Sequence, residues 1–552
     1  MIELTKEQQE AIEKIDQNML VTAGAGSGKT LVLVRRFVEI LDKQKELGVK
    51  NVLAVTYTRK AAKEMRTRIK TLLKDLYEKE KNGANSETRN WQQALSEMDS
   101  AHIETIHSLC QTILRSFSIH AGVDVHIELL EDIERAQIVE ESIEEAMRQA
   151  IALGEDDYVF VTYFSPDDVS DILRIVLRNQ LQFTEVSAQM KKLSADDLKK
   201  ELEHLLNRVQ KQFLTDLLLD EQWRSALDYV ANTPYADVGS QLEAIRKGAS
   251  SLAETLTASG WQVLLDLAAM NKPGNLGGRS EAAKELRKQI NVLIDKAKFF
   301  ASKLPQPGEV IDEHYWQLWQ AFLSIAQRVL AIYKSKKQQL QKLDYDDLIA
   351  KTSEILANKD LPVHNHYKNT FSHILVDEFQ DTNSVQAGLI KMLAGPKTKL
   401  FFIGDDKQSI YKFQGADLAT FNALRKEMKD DTAFEHSFRS MPTIVNFVND
   451  IFSRLLHADL AHVDYRAKYR PLKTKRNITD EENELNNVEV IQLPTTTQQA
   501  NMPSEKIIEG MAIANWIKTK VEQAAPVSDK NNNSRPINYG DFAILLQTNN
   551  DF

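Results

Sequence analysis

The chain has 552 residues, of which 27% are charged and 42% hydrophobic, and a formal net charge of −10. That length is several times a typical domain of ~100–150 residues, so more than one domain is expected. The composition is that of a globular protein, no apolar run approaches the ~20 residues of a membrane span, and the acidity argues against a surface coated in nucleic acid while permitting a local basic groove. The single cysteine, Cys110, excludes an internal disulfide, reads as a small buried apolar residue and suits a reducing cytoplasm. The N-terminal stretch MIELTKEQQEAI is charged and has no signal-peptide core.

In chain order, residues 1–17 read as a lead-in and a short helix, and residues 18–60 as strand, glycine loop, helix and strand. The run Leu20-Val21-Thr22 predicts a buried strand. It passes through Ala23, Gly24, Ala25, Gly26, Ser27 and Gly28 into Lys29-Thr30 and a helix with apolar Leu33, Phe37, Ile40 and Leu41. This is the phosphate-binding loop pattern. Glycines let backbone N–H groups close around phosphate oxygens, and the helix N-terminus favours negative charge. Lys29 is placed to reach β and γ phosphates, and the Thr30 hydroxyl to ligate Mg²⁺. Ala23 stands where the loop's first glycine is expected.

A second strand over 51–55 ends in Thr56-Tyr57-Thr58-Arg59-Lys60, followed by a helix carrying Met65, Ile69 and Leu72. Residues 78–98 are polar and read as a loop with a helical piece. Residues 101–107 predict a strand that enters a helix through Leu109, Ile113 and Leu114. From 126 to 367 the texture is rich in Leu, Glu, Lys and Gln. Helical periodicity is clear over 197–213 and 281–300, with a loop at 271–278. Residues 126–367 are therefore expected to be a helical insertion. The run Lys334-Ser335-Lys336-Lys337 reads as a solvated helix face, with a DNA-facing stripe as the alternative.

After 370 the α/β texture returns. Strands over 374–376 and 400–403 end in Asp377-Glu378 and in Gly404-Asp405-Asp406. Such runs suit parallel strands covered on both faces, and ligands of open α/β sheets sit outside the carboxyl ends of the strands. Four polar clusters are thus expected to converge on one crevice. Residues 421–552 read as a further α/β piece, with helices over 444–456 and 507–521, strands over 488–493 and 541–547, and a solvated loop over 527–536.

The chemistry of these groups is that of nucleotide hydrolysis. Asp377 at a strand end can hold, through water, the Mg²⁺ that bridges nucleotide phosphates. Glu378 is placed to orient and deprotonate the attacking water. Gln408 can contact the γ-phosphate or that water, and Arg439 can act as an arginine finger.

With these residues the chain resembles UvrD/Rep/PcrA-type DNA helicases of superfamily 1A. LTKEQQEAI resembles the adenine-reading Q motif, with Gln8 in the matching position, and AGAGSGKT resembles motif I. TYTRKAAKEM resembles motif Ia, TIHSL motif Ib, and LDYDDLI a motif of the 1B domain. VDEFQDTN resembles motif II, GDDKQSIYKFQGA motif III and HSFRS motif IV. The long insertion and the Lys407-Gln408 pairing lean toward the RecB/AddA branch of helicase–nuclease subunits.

The resemblance implies an ATP- and Mg²⁺-dependent motor moving 3′ to 5′ on single-stranded DNA in repair or recombination. It would be cytoplasmic, would meet duplex–single-strand junctions, and would work without a membrane and with a possible second helicase–nuclease subunit. It implies an α/β fold: a RecA-like P-loop lobe over 1–125 and 368–420, a 1B-like helical insertion over 126–367, and a partial second RecA-like lobe over 421–552. Motifs V and VI are expected beyond the last residue, so the chain is expected to be the N-terminal portion of a longer protein. By the resemblance, Gln8 reads adenine with Phe438 stacked on it, and the loop Ala23 to Thr30 binds phosphate and metal. Asp377 holds metal, Glu378 is the base, and Gln408 and Arg439 sense the γ-phosphate. Tyr57 and Phe413 are platforms for bases, with Thr58, Arg59 and His107 beside the DNA. Base stacking suits a motor because every base has a π-face. Arg59, Gln414 and Leu31 depart from the residues usual in relatives. Two rivals remain: an ATP- and DNA-binding module without turnover, and an RNA helicase, which VDEFQDTN and GDDKQSIY disfavour.

Overall fold

The computed structural model describes residues 4–81, 90–154, 157–192, 194–233, 258–273, 280–303, 313–410, 417–428, 431–456, 467, 469–475, 488–492, 505–528 and 534–546. They fall into two compact units, one of residues 1–125 and 348–552, the other of residues 126–347.

The first unit is built on a parallel sheet of six strands: β1 (Met19–Ala23), β2 (Val52–Thr56), β3 (His102–Thr105), β4 (His373–Val376), β5 (Lys399–Gly404) and β6 (Asp431–Phe434). Their order across the sheet is β3-β2-β4-β5-β1-β6, and every pair is parallel. β1, β2 and β4 are buried along their whole length, as their apolar runs require. Helices α1 (Lys6–Glu13), α2 (Lys29–Lys43), α3 (Arg59–Lys81) and α4 (Ile106–Ser116) belong to the same unit. Ile12, Leu33, Phe37, Met65 and Ile69 share one core with Val21, Ala54, Leu375 and Ile403. Cys110 lies buried in α4, and burial pushes its thiol up to about 12, so it packs as an apolar group.

The described residues depart from the expected boundaries in three places. The sheet does not stop at 420. Residues 431–434 pair with β1, Leu20 facing Asp431 and Ala23 facing Phe434. The helical stretch leaves its own unit at 347 rather than 367, because helices Tyr345–Ala357 and Pro362–Thr370 turn their apolar faces into the first unit. Tyr367 there packs on Phe117 and Phe371. The expected strands over 488–493 and 541–547 have no ladder partner among the described residues. Val490 is 80% and Leu545 94% exposed. The strands found in that region are short pairs, His436–Ser437 with Lys473–Thr474 and Pro526–Ser528 with Ser534–Pro536.

The second unit is helical. The expected helices over 197–213 and 281–300 are Ala195–Leu219 and Glu281–Ala301, and they enclose Trp223 and Trp261 in one core. A second core gathers Ile143, Phe160, Leu173, Val329 and Tyr333. The lysine run does not form one solvated face. Lys336 pairs with Glu141 at 2.8 Å, and Lys337, only 3% exposed, meets Asp344 at 2.8 Å and Asp347 at 2.6 Å. These two carboxylates cap each other's backbone N–H, so LDYDDLI holds this lysine in place. Among the described residues no helix is long and apolar enough to cross a membrane.

Candidate nucleotide and nucleic-acid site

Because all six strands run the same way, the segments that follow them emerge along one edge of the sheet. There stand the glycine loop after β1, Tyr57 after β2, His107 after β3, Asp377-Glu378 after β4 and Asp405 after β5. Sequence order scatters these residues over nearly 400 positions, and the sheet gathers them.

The loop is held by its own backbone and by two neighbouring segments. Gly26 (φ +74°) and Gly28 (φ +85°) adopt the left-handed conformation. A Cβ at Gly26 would fall 2.6 Å from Arg439 Cβ, so only glycine fits under that segment. Phe438 N–H donates to Gly26 O at 2.9 Å, and Ser437 Oγ to Ala25 O at 3.1 Å. Ser27 Oγ donates back to Gly24 O at 2.7 Å. On the other side Gln8 Nε2 donates to Ser27 O at 2.8 Å while Gln8 Oε1 accepts from Thr5 N–H. Gln8, expected to face adenine, is 2% exposed and braces the loop. Gly28 is the N-cap of α2 and carries no side-chain cap, so the first-turn amides of α2 have no side-chain acceptor there.

Lys29 Nζ meets Glu378 Oε2 at 2.6 Å, so the phosphate-loop cation and the expected base are already in contact. Glu378 holds φ +49°, a left-handed conformation that is costly for a non-glycine residue and that aims its carboxylate at the loop. Burial and the Glu378 charge push the Asp377 carboxyl up to about 7. Asp381 is raised to about 6 by the same two causes, and its Oδ1 is buried without a hydrogen-bond partner. The raised Asp377 and Asp381 carboxyls and the unsatisfied Asp381 oxygen mark a place where added positive charge would be favourable. Among the described residues no group of three or more His, Cys, Asp or Glu is placed to cage a metal alone. Magnesium commonly binds through one or two protein oxygens together with substrate phosphates and water, and the buried Asp377 carboxyl at the end of β4 is of the kind such a site uses.

The site also contains a residue that the motifs do not single out. Gln380 is 2% exposed and bridges the ends of β4 and β5. Its Nε2 donates to Glu378 Oε2 at 2.8 Å, and its Oε1 accepts from Asp405 N–H at 2.9 Å. Asp405 in turn accepts from Gln408 Nε2 at 2.8 Å and pairs with Lys407 at 2.9 Å. Gln408 thus connects to Glu378 through Asp405 and Gln380. The signal for Gln380 lies inside VDEFQDTN, two residues beyond the paired acids. Arg425 is a second addition, donating to Asp406 at 3.0 Å and to Thr22 Oγ1 at 3.2 Å. Arg439 is exposed, its backbone beside the loop.

Of the expected DNA-facing residues, Tyr57 is 39% exposed. It shares a cavity of about 40 Å³ with Thr105, His107, Asp377, Glu378, Thr382 and Gln386. Burial, with the nearby Arg59 charge, holds the His107 imidazole below its ordinary value. Thr58 caps α3 by accepting from Ala61 N–H at 3.1 Å, and Arg59 opens that helix at the surface. Phe413 lies outside the described residues.

The family model of the UvrD/REP helicase N-terminal domain matches residues 4–429. The chain is similar to the A-type subunit of the ATP-dependent helicase/nuclease of Listeria innocua, 27% identical over 98% of this chain and 47% of that one. It is similar to the corresponding helicase/nuclease protein from Lactobacillus delbrueckii subsp. bulgaricus, 29% identical over 99% and 47%. A third protein of that name, from Latilactobacillus sakei subsp. sakei, is 27% identical over 99% and 66%. The chain spans about half the length of the first two relatives.

Proposed function

The chain belongs to the UvrD/REP helicase family, and from that premise we propose that it is the ATP-hydrolysing motor of a DNA helicase, moving 3′ to 5′ on single-stranded DNA. The observation that carries this reading is the contact of Lys29 with Glu378 at the mouth of the loop. Without nucleotide the ammonium neutralises the base. A triphosphate seated on the amides of the loop draws Lys29 to its β and γ oxygens, which frees the Glu378 carboxylate to take a proton from water. A magnesium ion beside Thr30 and Asp377 would neutralise charge developing between the β and γ phosphates. Gln408 and Gln380 report the state of Glu378 to the end of β5. Arg439 approaches the γ-phosphate from the segment lying over the loop and supplies positive charge in the transition state. Gln8 meets the adenine through its second amide hydrogen, with Phe438 against the ring.

Tyr57, with Phe413, stacks on bases, while Arg59, Thr58 and His107 meet the backbone of the strand. Residues after 435 belong to a second RecA-like lobe, and residues 126–347 to a 1B-like insertion. The relatives' names point to a helicase–nuclease component that works in DNA repair or recombination in the cytoplasm with a second subunit, on duplex–single-strand junctions.

The test is nucleotide turnover with single-stranded DNA, with RNA and with neither. The reading expects stimulation by DNA that Glu378→Gln abolishes. Stimulation by RNA alone would instead support the RNA helicase, and tight binding of both ligands without turnover would support the binding module.

A further inference from the structure

Helix α1, which carries Gln8, is fastened at its far end by a cation from the phosphate-loop helix. Arg36 of α2 is 1% exposed. Its guanidinium donates to Ala11 O, and to Lys14 O at 2.9 Å, while its face lies 4.3 Å from the ring centre of Phe401 in β5. Two more groups complete that end. Lys43 Nζ donates to Glu13 O at 2.8 Å, and His373, kept neutral by burial, lies with Nε2 3.3 Å from Ile15 O. The last carbonyls of a helix have no partner within it, and cations are favoured there. Side chains from α2 and β4 therefore fix the position of α1.

At the other end Thr5 and Gln8 form a reciprocal cap, and Gln8 presses on the loop closely enough that a Cβ at Gly28 would lie 2.8 Å from its Nε2. A short helix held at both ends by α2 and its loop moves as one piece with them. Releasing the far end lets the near end swing, and Gln8 with it.

We propose that Arg36 is a positioning residue for nucleotide recognition: it holds α1, and through it Gln8, in register with the phosphate loop. This rests on the reading of the loop as an ATP site. The contact of α1 with the phosphate loop is the bond from Gln8 to Ser27 O, so the loss should fall on the loop and hence on the phosphate end of the ligand. Arg36→Lys keeps the charge and loses the fork that reaches two carbonyls.

The experiment measures binding of ATP–Mg²⁺ and of tripolyphosphate–Mg²⁺ to the wild-type chain, Arg36→Lys, Gln8→Ala and the double variant. Loss of hydrogen bonds from a charged donor predicts about tenfold weaker ATP binding in Arg36→Lys, with tripolyphosphate binding weakened by a similar factor. In the Gln8→Ala background the Arg36 effect should vanish, because both substitutions then remove the same contact. If Arg36→Lys fails to fold, Lys43→Met, which strips the Glu13 contact together with a surface ion pair to Glu39 within α2, should shift ATP binding in the same direction by a smaller factor. A loss for ATP with none for tripolyphosphate, no loss for either, or simple additivity with Gln8→Ala would overturn the proposal. A wild-type chain that binds neither ligand would instead overturn the nucleotide reading on which it rests.

Discussion

Asp377 stands at the end of a buried strand with Glu378 next to it, and burial and that charge raise its carboxyl to about 7 from an ordinary 3.8. Between those values the folded chain binds a proton that the unfolded chain has released. Stability from this group is therefore complete below about pH 3.8 and falls as pH rises toward 7. Asp377→Asn should raise the melting temperature at pH 8 and leave it unchanged at pH 4. The gain is at most about 4 kcal/mol, from 1.36 kcal/mol per pH unit. Saturating ATP–Mg²⁺ should erase the difference, because a bound cation compensates the carboxylate. A melting temperature that responds equally at both pH values would contradict this placement of the charge. Tyr57 offers the corresponding test on the nucleic-acid side. Stacking is worth about 1–3 kcal/mol per base, so Tyr57→Ala should weaken single-stranded DNA binding by about tenfold. Fluorescence anisotropy at low salt measures it, and binding should also weaken as salt rises through counterion release. Unchanged affinity would assign the ring to packing.

At the scale of elements, Gln380 makes the ends of β4 and β5 act together. Gly404 permits this, since a Cβ there would lie 2.5 Å from Gln380 Oε1. Gly404→Ala should therefore push Gln380 off Asp405, cost about 1–3 kcal/mol of stability as overpacking does, and slow nucleotide turnover without weakening nucleotide binding. Comparing KM with kcat separates the two. In the helical unit, Lys337→Met would leave Asp344 and Asp347 buried without their cation. Breaking such a pair costs about 3–5 kcal/mol, so hydrogen exchange should rise through helix 313–339 while ATP binding by the other unit persists. The elements also mark what the sequence disclosed. Strands β1, β2, β4 and β5 were legible because each is an apolar run ending in a polar cluster. β6 was not, since Asp431-Thr432-Ala433-Phe434 has little apolar signal and gains its place only by pairing with β1. Helices 345–357 and 362–370 share the periodicity of those before them, and only their packing partners separate them. Gln380 stood inside VDEFQDTN, but its role resides in its bond with Asp405, which is distant in sequence.

At the scale of the whole molecule, the chain belongs to the UvrD/REP helicase family, and its first unit gathers the groups of the proposed site along one sheet edge. The phosphate loop, the Asp377-Glu378 pair and the Gln380–Asp405–Gln408 chain are organised by one parallel sheet. The helical unit has its own cores and its own buried ion cluster. In the proposed site Lys29 exchanges Glu378 for a nucleotide phosphate. Calorimetric titration of ATP–Mg²⁺ into wild type, Lys29→Ala and Glu378→Gln tests it most directly, because it needs no turnover and no DNA. The wild type should bind, a folded Lys29→Ala should not, and Glu378→Gln should bind more tightly, because its neutral side chain no longer competes for the ammonium. Wild-type affinity in Lys29→Ala, or no binding by the wild type, would contradict it.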